Sequence, residues 1–184
     1  MSKPQPILDI HFISVLVGIA LTLPISSAAI CAALGLTGLA GGAAVAGCCA
    51  QMIGFACMSY KENGIGGLVS QGIGTSMLQM PNIIKNPKTW IPPILASAIT
   101  GPIATCIFHL EMNGPAVSSG MGTCGLVGQI GVYTGWLASG KAITAFDWIG
   151  LAMICFILPA VLSVIFCNIL RKKQWIKEND LKLN

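Results

Sequence analysis

Five stretches of this chain contain no Asp, Glu, Lys or Arg: residues 10–60, 63–84, 89–110, 112–140 and 148–170. Crossing the hydrocarbon core of a bilayer takes about 20 apolar residues in a row. Every stretch is long enough for one passage, and the first for two. Only 9% of the residues are charged, against roughly 25% in a soluble domain. The fold class expected is an all-α integral membrane protein with about four to six transmembrane helices. A secretory signal fits poorly, because the N-terminus carries a single Lys3 and no cleavage pattern follows a short apolar core.

The stretches differ in how well they suit a continuous helix. Residues 1–9 read as a polar lead-in with Pro4 and Pro6. Residues 10–35 are apolar but hold Pro24 followed by Ser26 and Ser27. This predicts a kinked span or two half-helices, with serine hydroxyls compensating for the freed backbone. Residues 38–60 are dense in small residues from Gly38 to Gly47, the surface that lets helix backbones approach closely in lipid. Gln51, the strongly polar side chain of that run, reads as an interhelical hydrogen bond. Residues 63–84 carry Gly64, Gly66, Gly67, Gly72, Gly74 and Pro81. Each interior glycine costs up to about 1 kcal/mol against alanine, so a broken or re-entrant segment lining a cavity is expected. Residues 90–110 form a cleaner span, with Trp90 placed as an interfacial anchor. Residues 120–138 repeat the glycine-rich, broken pattern, and 148–170 is the last span.

A short phrase recurs across these segments. Gly67-Leu68-Val69-Ser70-Gln71 is matched at an offset of 58 residues by Gly125-Leu126-Val127-Gly128-Gln129, and Trp90-Ile91 by Trp148-Ile149. The basic cluster Arg171, Lys172, Lys173 and Lys177 places the C-terminus in the cytoplasm by the positive-inside rule. Counting back puts Lys3, Lys61, Lys85 and Lys88 on the same side and Lys141 outside. The two copies then run in the same order but opposite orientation. Inverted-topology repeats with discontinuous segments are the architecture of transporters with a midplane substrate site. The expected organisation is a lead-in (1–9), a membrane-embedded domain (10–170) with repeat units of about 62–110 and 118–170, and a basic cytoplasmic tail (171–184).

Five runs carry a resemblance: Pro24-Ile25-Ser26-Ser27-Ala28-Ala29-Ile30, Gly38-Leu39-Ala40-Gly41-Gly42-Ala43-Ala44, Gln71-Gly72-Ile73-Gly74-Thr75-Ser76-Met77-Leu78-Gln79, Pro81-Asn82-Ile83-Ile84-Lys85-Asn86-Pro87, and the stretch from Gly120 to Gly131. They resemble the membrane-embedded IIC family of the bacterial phosphotransferase system, in its EIIC type 2 branch, over roughly residues 20–170. The resemblance implies a multi-pass permease domain for a sugar or sugar-like solute in the bacterial plasma membrane, with both termini cytoplasmic. It also implies a homodimer working with cytoplasmic IIB and IIA phosphotransferase subunits. Any phosphoryl transfer would then belong to the IIB partner. Members of that branch carry further spans before this region, so this chain is expected to correspond to a C-terminal half, a split subunit or a fragment.

The candidate substrate-binding residues are Gln71, Gln129, Asn82, Glu111, His109, Thr75 and Thr123. Gln71, Gln129 and Asn82 are neutral donors and acceptors inside broken segments, the chemistry that a polyol needs. Thr75 and Thr123 offer the same chemistry or satisfy opened backbone. Glu111 and His109 enter by resemblance, because relatives bind sugar with a Glu and a His near re-entrant hairpins; these two stand outside that motif. From position alone Glu111 sits at a membrane edge, where an acid is solvated. The eight cysteines lie in apolar runs without ligand-like spacing and read as packing residues rather than a metal site. No nucleophile–base motif, phosphate loop or dinucleotide fingerprint stands out, so no cofactor and no nucleic-acid partner are expected. A regulatory or sensory membrane subunit that keeps the permease scaffold without transport is the alternative to transport itself.

Overall fold

The computed structural model describes residues 7–183. Over them the chain is helical: α1 (Ile7–Thr22), α2 (Ser27–Ala33), α3 (Gly38–Met58), α4 (Tyr60–Val69), α5 (Met80–Lys85), α6 (Ile91–Pro102), α7 (Ala116–Ser119), α8 (Val127–Ala138), α9 (Ala145–Ala152) and α10 (Leu158–Lys172). An isolated bridge between Gly38 and Met112 is the only β pairing among the described residues. Three helical runs are long and apolar enough to cross a bilayer, Gly38–Met58, Pro87–Ile107 and Ala145–Lys172, and His11–Thr22 is a shorter apolar helix. The remaining apolar sequence lies in broken helices. Helix α1 begins at Ile7, inside the lead-in expected over residues 1–9; residues 1–6 lie outside the described residues.

Helix α3 is the centre of the fold. Every residue from Gly41 to Met52 is buried, as a helix that is apolar all round requires. Its glycines decide how near its neighbours come. A Cβ on Gly47 would overlap the carbonyl oxygen of Ser14 on α1, and one on Gly42 would overlap the carbonyl oxygen of Leu110. Gln51, as expected, bridges helices: its Oε1 accepts from Thr22 Oγ1 at 3.3 Å and from Trp90 Nε1 at 2.9 Å. Trp90, at the start of its span, is therefore half-buried and donates inward to α3.

Helix α1 repairs a defect in the span beside it. Pro102 has no N–H and leaves the carbonyl four residues back, that of Ala98, without its helical partner. The Nδ1–H of His11 donates to Ala98 O at 2.8 Å, and Ser14 Oγ donates to Ser97 O at 2.7 Å. Beyond Pro102 the helix widens to a π turn at Ile103–Ile107, a usual device beside a proline. The last span does the same at Met153–Ile157, ahead of Pro159. Near Pro24 the serines act otherwise than expected. Ser26 Oγ caps α2 by accepting from Ala29 N at 3.1 Å, and Ser27 Oγ donates to Gly120 O at 2.7 Å.

The spans Pro87–Ile107 and Ala145–Lys172 run antiparallel. Trp90 and Ile91 pack with Cys167 and Leu170 at one end, and Phe108 stacks on Phe146 with ring centroids 5.3 Å apart at the other. Ile157, Val161, Ile165 and Ile169 recur every fourth residue of the last span and are all exposed. Such a stripe suits lipid and not water. The start of this span is fixed by a capping box: Asp147 Oδ2 accepts from Thr144 N at 2.9 Å and from Thr144 Oγ1 at 2.7 Å, while Oδ1 takes Lys141 Nζ at 2.5 Å. Asp147→Ala removes all three bonds and should cost about 1–2 kcal/mol, read as a lower melting temperature of the detergent-solubilised protein.

Candidate functional site at the two chain breaks

The first break follows α4. Gly64 takes φ 59, a left-handed conformation that only glycine adopts freely. After Val69 the chain passes through a π turn (Ser70–Gly74), an extended Thr75 and a 3₁₀ turn (Ser76–Gln79) before α5. The segment starts beside Met58 and comes back to it, since Ile83 shares a buried cluster with Phe55 and Met58 at the C-terminal end of α3.

Inside this break lies a relay of side-chain amides. Gln71 Nε2 donates to Ser59 Oγ at 2.9 Å and to Gly67 O at 3.0 Å. Gln79 Nε2 donates to Gln71 Oε1 at 2.8 Å, and Asn82 Nδ2 donates to Gln79 Oε1 at 2.8 Å. Gln71, Gln79 and Ser59 have no solvent exposure and Asn82 has 6%. Burying amides is tolerable only when they are paired, and here each one orients the next. The outer end of the relay meets the residues after α10. Gln79 Nε2 also donates to Leu181 O and Asn82 Nδ2 to Lys182 O, both at 3.0 Å.

The second break approaches α3 from its other end. Ser119 Oγ donates to Leu36 O at 2.9 Å, just before α3 begins. The chain turns through Gly122, Gly125 and Leu126, all at positive φ. Gly122 lies so close to Cys48 and Cys49 that a Cβ would come within 2.7 Å of the Cys48 side chain. Helix α8 then leads back, and Trp136 packs with Val45 and Ala46. At the turn Thr123 Oγ1 donates to Gly72 O at 2.5 Å and contacts Met52 Sδ at 3.5 Å. The two breaks therefore meet against the middle of α3, joined by one buried hydroxyl.

The seven candidates fall into four groups. Gln71 and Asn82 come together in the relay through Gln79, and Thr123 reaches Gly72, the residue after Gln71. Gln129 is buried against α3, one turn before Met52: its Nε2 donates to Cys49 Sγ at 3.3 Å, and its Oε1 has no partner among the described residues. Thr75 works locally, its Oγ1 accepting from Met77 N at 3.1 Å. Glu111 and His109 lie exposed in the loop after the second span. Glu111 Oε2 accepts from Asn113 Nδ2 at 3.0 Å, and His109 takes φ 46.

Other polar partners carry weaker sequence signals. Glu62 and Arg171 form an ion pair whose acid side chain is only 7% exposed. Its one cue is that Arg171 is the sole arginine of the chain. Asn63 sits beside it, donating to Leu181 O at 2.7 Å and accepting from Leu183 N at 2.7 Å. Two cavities open at this end of the molecule. One of about 300 Å³ is lined by Met77, Leu78, Pro81, Asn82, Lys182 and Leu183. The other, of about 250 Å³, is lined by Asn82, Lys85, Asn86, Asn179, Asp180 and Lys182.

Compared with known families, the chain matches the profile described as "Phosphotransferase system, EIIC" over residues 1–183. No curated protein and no solved structure gives a significant match.

Proposed function

The chain belongs to the phosphotransferase system EIIC family, and on that premise we propose that it moves an uncharged polyhydroxy solute, such as a sugar, past the junction of its two broken segments. The observation that carries this reading is the Thr123–Gly72 bond, where two segments arriving from opposite ends of α3 meet beside a buried relay of carboxamides. Broken helices meeting near the midplane expose backbone carbonyls and neutral side chains to one place. Carboxamides both donate and accept, as a hydroxyl does, so Gln71, Gln79 and Asn82 can exchange their present bonds for solute hydroxyls. Gln129 Oε1, buried and without a partner among the described residues, is a further acceptor in the same scheme. Units 62–110 and 118–170 form the inverted repeat, and opposite tilts of the two breaks would open the junction to one side at a time. The protein works as a homodimer with both termini cytoplasmic, where a IIB partner phosphorylates the emerging solute. Glu111 and His109 have no task in this scheme.

Thr123→Val tests the reading, because valine keeps the shape and removes the donor. Sugar uptake into proteoliposomes, measured against a panel of hexoses and hexitols with phosphorylated IIB enclosed in the lumen, should fall at least tenfold. Stability should drop by about 1 kcal/mol. Wild-type protein that takes up no sugar, or a variant that transports normally, would refute the assignment.

A further inference from the structure

Beyond Lys172 the chain does not run free into solvent. It reverses at Gln174 and again at Asn179, both at positive φ. The reversals bury Ile176 and Leu181 to 1% and 0% exposure, against Phe55, Met58, Ile83, Cys167 and Leu170. Asn86 Nδ2 holds the first reversal through Trp175 O at 2.9 Å and Asp180 Oδ2 at 2.7 Å. What then grips residues 181–183 is a set of side-chain amides. Leu181 O accepts from Asn63 and Gln79, Lys182 O accepts from Asn82, and Leu183 N donates to Asn63 Oδ1.

We infer that residues 181–183 are a displaceable latch occupying the solute-binding end of the carboxamide relay; this rests on the permease reading above. Three features point the same way. The latch meets the relay only through neutral carbonyl and amide groups, the same hydrogen-bonding pattern that a sugar hydroxyl offers. The grip consists of neutral bonds that water or a solute can replace at little net cost, together with one leucine. Finally, Asn82 and Lys182 line both cavities at this face. Each cavity alone is at or below the lower end of the roughly 300–1,000 Å³ of small-molecule sites. Withdrawing Lys182 removes the wall between them. The latch and the solute then exclude each other, and a cytoplasmic partner that draws the tail away would open the site.

The test uses the full chain. In detergent, mass spectrometry follows trypsin cleavage after Lys177 and Lys182, which reports the tail's release. The probes are glucose, N-acetylglucosamine, mannitol and galactitol. Leu181→Asp and Asn63→Ala should each speed cleavage at least fivefold and tighten binding of the recognised sugar at least threefold. That sugar, added to wild-type protein, should speed cleavage too, a measurement that needs no variant. Release of the tail without a change in sugar affinity would overturn the latch, as would sugar binding that leaves wild-type cleavage unchanged. Sugar uptake by the wild type with either of those results refutes the latch alone. Binding of none of the four sugars and no uptake removes the latch and the permease reading together.

Discussion

Gly47→Leu should abolish the folded protein. The Cβ alone overlaps the Ser14 carbonyl oxygen, and the carbonyl carbon and Cα behind it belong to the same rigid backbone. No flexible side chain stands there to give way. Gly18, on the other side of the crossing, would itself place a Cβ 2.7 Å from Gly47 O, so α1 cannot slide past either. Overpacking typically costs about 1–3 kcal/mol. Here the loss is larger, because pushing α1 away also breaks the His11 and Ser14 bonds to Ala98 O and Ser97 O. The Ala98 carbonyl freed by Pro102 then lies at membrane depth without a partner, at a further cost of about 1–3 kcal/mol. The variant should give no monodisperse peak in detergent. Gly66→Ala is the control: nothing lies within 4 Å of its added carbon, and the variant should behave as wild type or gain up to about 1 kcal/mol.

This crossing shows what was legible in the sequence. A run of glycine and alanine from Gly38 to Gly47 means close helix packing in any membrane protein, and its consequence at α3 follows from residue size alone. The breaks were legible for a similar reason: Gly64, Gly122 and Gly125 interrupt helices at positive φ, whatever packs around them. Gln71 and Asn82 were found as neutral polar groups in segments that could not be plain helices. Pairing partners were harder to find, because they depend on distances between residues far apart in sequence. Asn63 and Leu181 are 118 positions apart, and a basic C-terminal run looks solvated until its two buried side chains, Ile176 and Leu181, are seen. Gln71 and Gln129 occupy equivalent places in the repeated phrase, yet one faces Ser59 and the other Cys49. Four identities in a window of five align backbone segments without aligning the side chains' surroundings. His11 carried no motif, and its role depends on a proline 91 residues away.

Gln79→Leu should be the most damaging polar substitution in the chain. Gln79 is fully buried and makes three bonds, to Gln71 Oε1, Leu181 O and Asn82 Nδ2. Leucine fits the volume but supplies none of them. Among the described residues, Gln71 Oε1 loses its only side-chain donor, and Leu181 O keeps only Asn63. Each buried polar group left unpaired costs about 1–3 kcal/mol, so a total of about 3 kcal/mol or more is expected from one substitution. A double-mutant cycle separates this from a plain packing defect. In Gln71→Leu/Gln79→Leu both ends of the Gln71–Gln79 bond are apolar, and no orphan remains between them. The double variant should therefore melt closer to wild type than the sum of the two single losses, with an interaction energy of about 1–3 kcal/mol. Strict additivity would mean that the two amides do not sense each other, and the relay would then be no more than a set of separate local bonds. The same cycle bears on transport. If the relay hands its bonds to a solute, the stable double variant should still lack sugar binding, because restoring apolar packing restores the fold without restoring a single donor.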